Sequence, residues 1–154
     1  MEFRSLVTCL AFAVLTTSAG ASVDVAEGRH FFDRFVQLSD AFDPAVADLY
    51  ADSSKIKWLR RYPDGAERVM EMPGSQWRSA LTSLMPLAKA KGDRSKYTNV
   101  RVEPAGERLR IRADRYSVLK CYSDKNYYML VDRSSTGTLY VAEEYFENQP
   151  QSNC

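Results

Sequence analysis

Apolar side chains at Val25, Phe32, Phe35, Val36 and Leu38 fall at a spacing that draws one stripe along a helix. Asp24 stands at its N-cap position and Glu27 follows three residues later, the arrangement of a capping box. A second, shorter helix is predicted next. Asp43 caps it, Pro44 takes its first position, and Val46, Leu49 and Tyr50 form its apolar face before it ends in "DLYAD", 48–52. The period then drops to two. Ile56 and Trp58 alternate with polar neighbours in "SSKIKWLRRY", "PDG" at 63–65 is turn chemistry, and "AERVMEM" returns as the second arm of a hairpin. A third helix is predicted within 72–93, capped by Ser75, with Trp77, Leu81, Leu84, Met85 and Ala88 on one face. Pro86 is expected to kink or restart it; Lys89, Lys91 and Gly92 suit its end.

The remainder reads as sheet. "YTNVRVEP" and "ERLRIRADRYSVLK" flank "AG", and "KNYYMLVDRS" and "GTLYVAEEYFE" flank "STG", giving two hairpins. Leu109, Ile111 and Ala113 share one face and Arg108, Arg110 and Arg112 the other. Tyr116 and Val118 take the opposite parity from Ile111, so a β-bulge is expected near Arg115. Only the tail "NQPQSNC" looks loose. The resulting class is α+β: a curved, mostly antiparallel sheet wrapped around N-terminal helices.

The first residues have a different character. Arg4, an apolar run over 6–15 and small residues ending in "AGA" make 1–21 a secretory signal peptide cleaved after Ala21. Cys9 lies inside the apolar run rather than after it, which argues against a lipid anchor there. The expected organisation is 1–21 signal peptide, 22–147 one domain and 148–154 a C-terminal tail. A periplasmic or secreted location follows, with no insertion in the membrane after cleavage. Export leaves an even pair, Cys121 and Cys154, for a disulfide that would pin the tail. These two cysteines and the single His30 are too scattered to form a metal cluster, so no metal is expected.

Charge removes further classes. The 21 Lys and Arg nearly balance 20 Asp and Glu, so no basic field argues for nucleic acid. Neither a Gly-rich phosphate loop nor a Gly-x-Ser-x-Gly elbow is present, and no cofactor is implied. Nine Tyr, seven Phe and two Trp supply either a packed core or an aromatic-lined pocket.

The element order, together with Leu49, Tyr50, Ala51 and Asp52 as an "L-[FY]-A-D" helix exit, resembles the nuclear transport factor 2-like superfamily over about residues 24–147. That group includes ketosteroid isomerases and SnoaL-like polyketide cyclases as well as many binding domains. The resemblance implies a cone, often with a pocket at its open end, and homodimers through the sheet as one assembly. It does not carry the isomerase chemistry. The strand position of the general-base Asp falls on Trp58, which accepts no proton, and the first-helix Tyr falls near Arg34 or Phe35.

The leading expectation is therefore an exported, non-catalytic domain binding a small apolar or amphipathic molecule, or a protein partner. Phe35, Trp58, Trp77, Tyr128 and Tyr145 are the candidate wall, and Arg112 and Glu144 the candidate polar groups. The alternative is a dehydratase- or cyclase-like enzyme using His30 with Asp33 or Asp52. A third reading gives the arginine row on the sheet to an acidic protein surface; the plainer account pairs those arginines with Glu103 or Glu143.

Overall fold

The computed structural model describes residues 24–154. The signal peptide, its cleavage site and Cys9 lie outside the described residues.

Helix α1 (Val25–Ala41) begins with the expected capping box: Asp24 and Glu27 exchange their backbone and side-chain bonds. It buries Phe31, Phe32 and Phe35. Pro44–Leu49 form a 3-10 helix rather than an α-helix, with the Asp43 carboxylate accepting from Ala45 N–H at 2.9 Å. Tyr50, Ala51 and Asp52 do not finish that helix. They open strand β1 (Tyr50–Arg61), which turns through Gly65 in the left-handed region into β2 (Glu67–Pro73).

Helix α2 (Gly74–Lys91) runs unbroken through Pro86 and ends at Gly92 in the left-handed conformation. Its N-cap is Pro73, not Ser75, and no side chain caps it. Leu84 and Leu87 are exposed, so the buried stripe is narrower than the apolar spacing suggests. Trp77, Leu81 and Met85 alone carry it onto the core.

Strands β3 (Ser95–Ala105), β4 (Arg108–Ser117), β5 (Tyr122–Asp124), β6 (Tyr128–Arg133) and β7 (Leu139–Asn148) complete one curved sheet in the order β2-β1-β7-β6-β4-β3, with β5 paired to β4. All neighbours are antiparallel except β1 and β7, which pair in parallel and tie the first hairpin to the last strand. The helices pack across the concave face. The core there holds Phe32, Ile56, Ile111, Tyr127, Met129, Val131 and Val141.

Two irregularities set the site. No bulge interrupts β4: Leu109, Ile111, Ala113 and Ser117 are all buried, Tyr116 points out, and Arg115 keeps the inward parity. The sequence pattern suggested a slip because a charged residue stands at an inward position. The bulge instead lies in β3, between Thr98 and Arg101, where Asn99 adopts a left-handed φ of 53°. A second lies between β6 and β7. Leu130 pairs with Glu143 but Val131 with Val141, leaving Ala142 as the extra residue.

Cys121 and Cys154 are bonded, with Cα atoms 5.3 Å apart. Ser152 adds a backbone bond to the Lys120 carbonyl, at 3.0 Å, and a hydroxyl bond to the Cys121 carbonyl, so the tail is tied at several points.

Candidate functional site

The bulge at Ala142 decides which acid enters the cone. Val141 faces inward, and strict alternation would bring Glu143 and Tyr145 inward with it. The extra residue reverses the parity, so Glu144 stands beside the fully buried Met129 and Phe146 follows on the same face. Glu143 and Tyr145 turn outward.

Glu144 is 4 % exposed. Tyr50 donates its hydroxyl to Glu144 Oε2 at 2.6 Å, and Tyr127 donates to Oε1 at 3.0 Å. The carboxyl is thus clamped at both oxygens by phenols from the start of β1 and the approach to β6. Burial drives its pKa above the ordinary value of 4.5, while the two phenols and Arg115 pull the other way. Burial also pushes Tyr50, Tyr97 and Tyr127 up, and the Glu144 charge adds to each shift. Among the described residues no cation pairs with the carboxyl. Arg115 lies on the same inner face, but its guanidinium is spent on the Glu147 carbonyl at 2.6 Å, on Ser95 and Tyr122 hydroxyls, and on Asp124 at 3.5 Å.

A cavity of about 260 Å³ opens over this carboxyl. Phe35 from α1, Trp77, Leu81 and Met85 from α2, Tyr97 from β3 and Phe146 from β7 form its apolar wall. Asp93 and Arg94 reach it from the loop after α2, and Arg94 rests on the Phe42 ring at 5.0 Å. The rings pack edge-to-face or tilted: Phe35 with Tyr97 at 6.1 Å, Trp77 with Phe146 at 5.8 Å and with Tyr50 at 6.5 Å. Trp77 Nε1 is buried next to the Tyr50 hydroxyl, and its N–H opposes the rise in that phenol's pKa.

Of the residues picked from sequence, Phe35, Trp77 and Glu144 meet in this cavity. Four others do not. Trp58 stops short, stacked on Phe146 at 5.9 Å, and faces the groove under the tail. Arg112 is on the outer face, paired with Glu103 at 3.2 Å. Tyr128 and Tyr145 stack on each other at 5.5 Å on that outer face, where the Ala142 bulge puts Tyr145 opposite Glu144. Tyr128 donates to Glu143 at 2.5 Å, and burial together with this bond raises its pKa to about 12.

His30, Asp33 and Asp52 also lie elsewhere. His30 is exposed beside Glu27, Arg34 and Leu139 on an outer groove. Asp33 pairs with Arg29 at 3.1 Å and Asp52 with Arg78 at 2.9 Å, both exposed. Arg78 and Asp52 border a groove of about 770 Å³ between the 3-10 helix and α2, which is an open surface of acids and hydroxyls. An acid–base set built on His30 therefore has no member in the cone.

Tyr50, Tyr97, Arg115 and Tyr127 are site residues that the sequence reading left out. Parity could have found Arg115, and Tyr127 through its register with Met129 and Val131. Among the described residues no group of three or more His, Cys, Asp or Glu side chains is arranged to hold a metal ion. No helix among them is long and apolar enough to cross a membrane.

No family model and no curated protein matches this sequence. Solved structures do match its fold. An NTF2-like protein of unknown function from Pseudomonas putida is 15% identical, with 79% of this chain and 84% of that one covered and a TM-score of 0.58. The beta subunit of the benzoate 1,2-dioxygenase from Burkholderia mallei is 18% identical, covering 82% and 91%, with a TM-score of 0.53. A Nostoc punctiforme protein of unknown function with a cystatin-like fold is 13% identical, covering 79% and 88%, with a TM-score of 0.52. A curved, unclosed mixed sheet with helices across its concave face, matched at this level, defines the class: the chain has the nuclear transport factor 2-like fold.

Proposed function

We propose that this is an exported, non-catalytic domain that binds a small apolar or amphipathic molecule inside the cone. The observation that carries the reading is the aromatic cavity with the doubly clamped Glu144 at its wall. Ligand sites are concave, mostly apolar and marked by a few placed polar groups. A carboxyl held at both oxygens by phenols, in the apolar lining, supplies such a mark. Its engagement by Tyr50 and Tyr127 favours a fixed recognition group over a base that must swing and take protons.

Export is supported by the leader-like pattern of 1–21 and by the Cys121–Cys154 bond, which persists in oxidising compartments. A protein partner on the outer face has less support. Arg108 pairs with Asp132 at 2.7 Å, Arg112 with Glu103, and Arg110 lies over the Tyr128 ring at 5.6 Å, so this row is occupied within the sheet.

A native mass spectrum of the protein purified from an exporting host tests the reading. The expected species begins at Ser22, lacks two hydrogens for the disulfide and carries a small molecule that leaves on denaturation. A bare chain still carrying 1–21 would count against both export and ligand binding.

A further inference from the structure

We infer that the groove under the C-terminal tail is a second ligand site, separate from the cone, and that it takes a small saccharide bearing a carboxylate. Its residues are not those of the cone cavity, so it stands or falls apart from the reading of that cavity.

Trp58, Arg60 and Tyr62 follow the buried Ile56 at steps of two, so they continue the inner face of β1 to the turn into β2. Register with β7 sets Asn148 beside Arg60. The tail supplies a further wall through Gln149 and Gln151, and Lys120 joins from the β4–β5 turn. The Cys121–Cys154 bond and the Ser152 N–H on the Lys120 carbonyl, at 3.0 Å, fix that wall against the turn. The groove holds about 340 Å³, within the usual range of about 300–1,000 Å³ for small-ligand pockets.

Three cations line this space and, among the described residues, no acid does. Arg61 is committed to Glu67 at 2.9 Å and to Glu147 at 3.3 Å. Arg60 rests over the Tyr62 ring at 4.9 Å. Among the described residues neither Arg60 nor Lys120 has an acidic partner. Two uncommitted cations at one groove call for an anion, and an arginine fork matches a carboxylate.

The remaining walls set the rest of the ligand. Trp58 gives one face to Phe146, nearly parallel at 4°, and borders the groove with the rest of its ring. Three amide side chains carry both donors and acceptors. Tyr122 donates to Asn148 Oδ1 at 3.1 Å, and Gln149 Nε2 donates to the Ser123 carbonyl at 3.1 Å. Asn148 Nδ2, Gln149 Oε1 and the Gln151 amide are left for a ligand. A sugar ring has an apolar C–H face for the indole and hydroxyls that both donate and accept for the amides. Its carboxylate answers Arg60 and Lys120. A plain inorganic anion would leave the indole and the amides unused. An apolar molecule would strand the cations, and a cationic one would be repelled by them.

The experiment uses the disulfide-bonded protein labelled with nitrogen-15 at tryptophan. Its two indole N–H signals are assigned with Trp58→Phe. The methyl glycosides of glucuronate, galacturonate and mannuronate are titrated in turn, then the matching neutral glycosides and AMP. At least one uronate is expected to move the Trp58 signal more than the Trp77 signal. It is expected to bind about tenfold more tightly than its neutral counterpart, a difference of about 1.4 kcal/mol. Arg60→Gln and Lys120→Gln, both away from the core, are expected to reduce the uronate to the affinity of the neutral sugar. Reductant is expected to weaken binding by freeing the tail wall. Binding that survives reduction unchanged would overturn the part given to the tail. No response to any uronate, equal affinity for the neutral sugar, or a response confined to Trp77 would overturn the site. Tighter binding of AMP would overturn the saccharide assignment.

Discussion

Tyr50 donates its hydroxyl to Glu144 across 2.6 Å and 94 residues of sequence, joining the first residue of β1 to the inner face of β7. Tyr127 completes the clamp from the other side at 3.0 Å. These contacts connect the parallel strand pair to the floor of the cavity. They also give the tyrosine of the "L-[FY]-A-D" stretch a role beyond packing.

Removing one phenol leaves a buried carboxyl oxygen short of a donor. Tyr50→Phe and Tyr127→Phe are each expected to destabilise the protein by about 1–3 kcal/mol. Because the two share Glu144, the double variant should depart from the sum of the singles. Urea unfolding of the four proteins measures this; full additivity would show that the clamp does not act as a unit.

The pH dependence has a definite sign. Burial holds the folded-state pKa of Glu144 above its ordinary value of 4.5, so the folded protein keeps a proton that the unfolded chain releases. Its contribution is fully present below the ordinary value and is lost as pH rises through the raised folded value. Glu144→Gln should flatten that descent, so the stability difference between variant and wild type shifts in the variant's favour from acid to neutral pH. Denaturation midpoints across that range check it, and an unchanged difference would contradict it.

The disulfide closes a separation of 33 residues between the β4–β5 turn and the tail. Chain entropy alone assigns it about 3–4 kcal/mol. A Cys121→Ser, Cys154→Ser double variant should lose stability on that scale. It should also match the wild type measured in reductant. A wild type indifferent to reductant would show that the tail is held without the bond.

Gly74 begins α2 where the helix crosses the opening of β1. A β-carbon there would run into the Ala51 carbonyl oxygen and lie 2.8 Å from Ser54 Cβ. Ser54 cannot move freely, since its hydroxyl receives the Ala51 N–H at 2.9 Å and donates to the Val141 carbonyl. Gly74→Ala is therefore expected to cost about 1–3 kcal/mol by overpacking. Thermal unfolding tests this; an unshifted midpoint would mean that α2 can lift from the sheet at no cost.

Local chemistry in the sequence was the more readable part. The capping box at Asp24 and Glu27, the end of α2 at Gly92 and the hairpin turns depend on neighbouring residues, and they appear as expected. Val46, Leu49 and Tyr50 fit a helical period and so predict a helix end at Tyr50; its strand partner, Val141, is remote in sequence. Residue type alone puts both Glu144 and Tyr145 in the pocket, which no single strand permits. Which of them enters depends on the Ala142 bulge, and that bulge exists only in register with β6. Arg115 is hard to find from sequence for a similar reason. An inward arginine is acceptable only because Asp124, Ser95, Tyr122 and the Glu147 carbonyl surround it, all of them on other strands.

The central claim is that the cone takes a small apolar molecule into the cavity between α1, α2 and the sheet. The most direct test is calorimetric titration of methylnaphthalene into the mature protein and into Ala88→Phe, which fills the cavity from the α2 side. Saturable binding by the wild type, lost in Ala88→Phe at an unchanged unfolding temperature, is the predicted result. No binding by the wild type, or equal binding by both proteins, would contradict it.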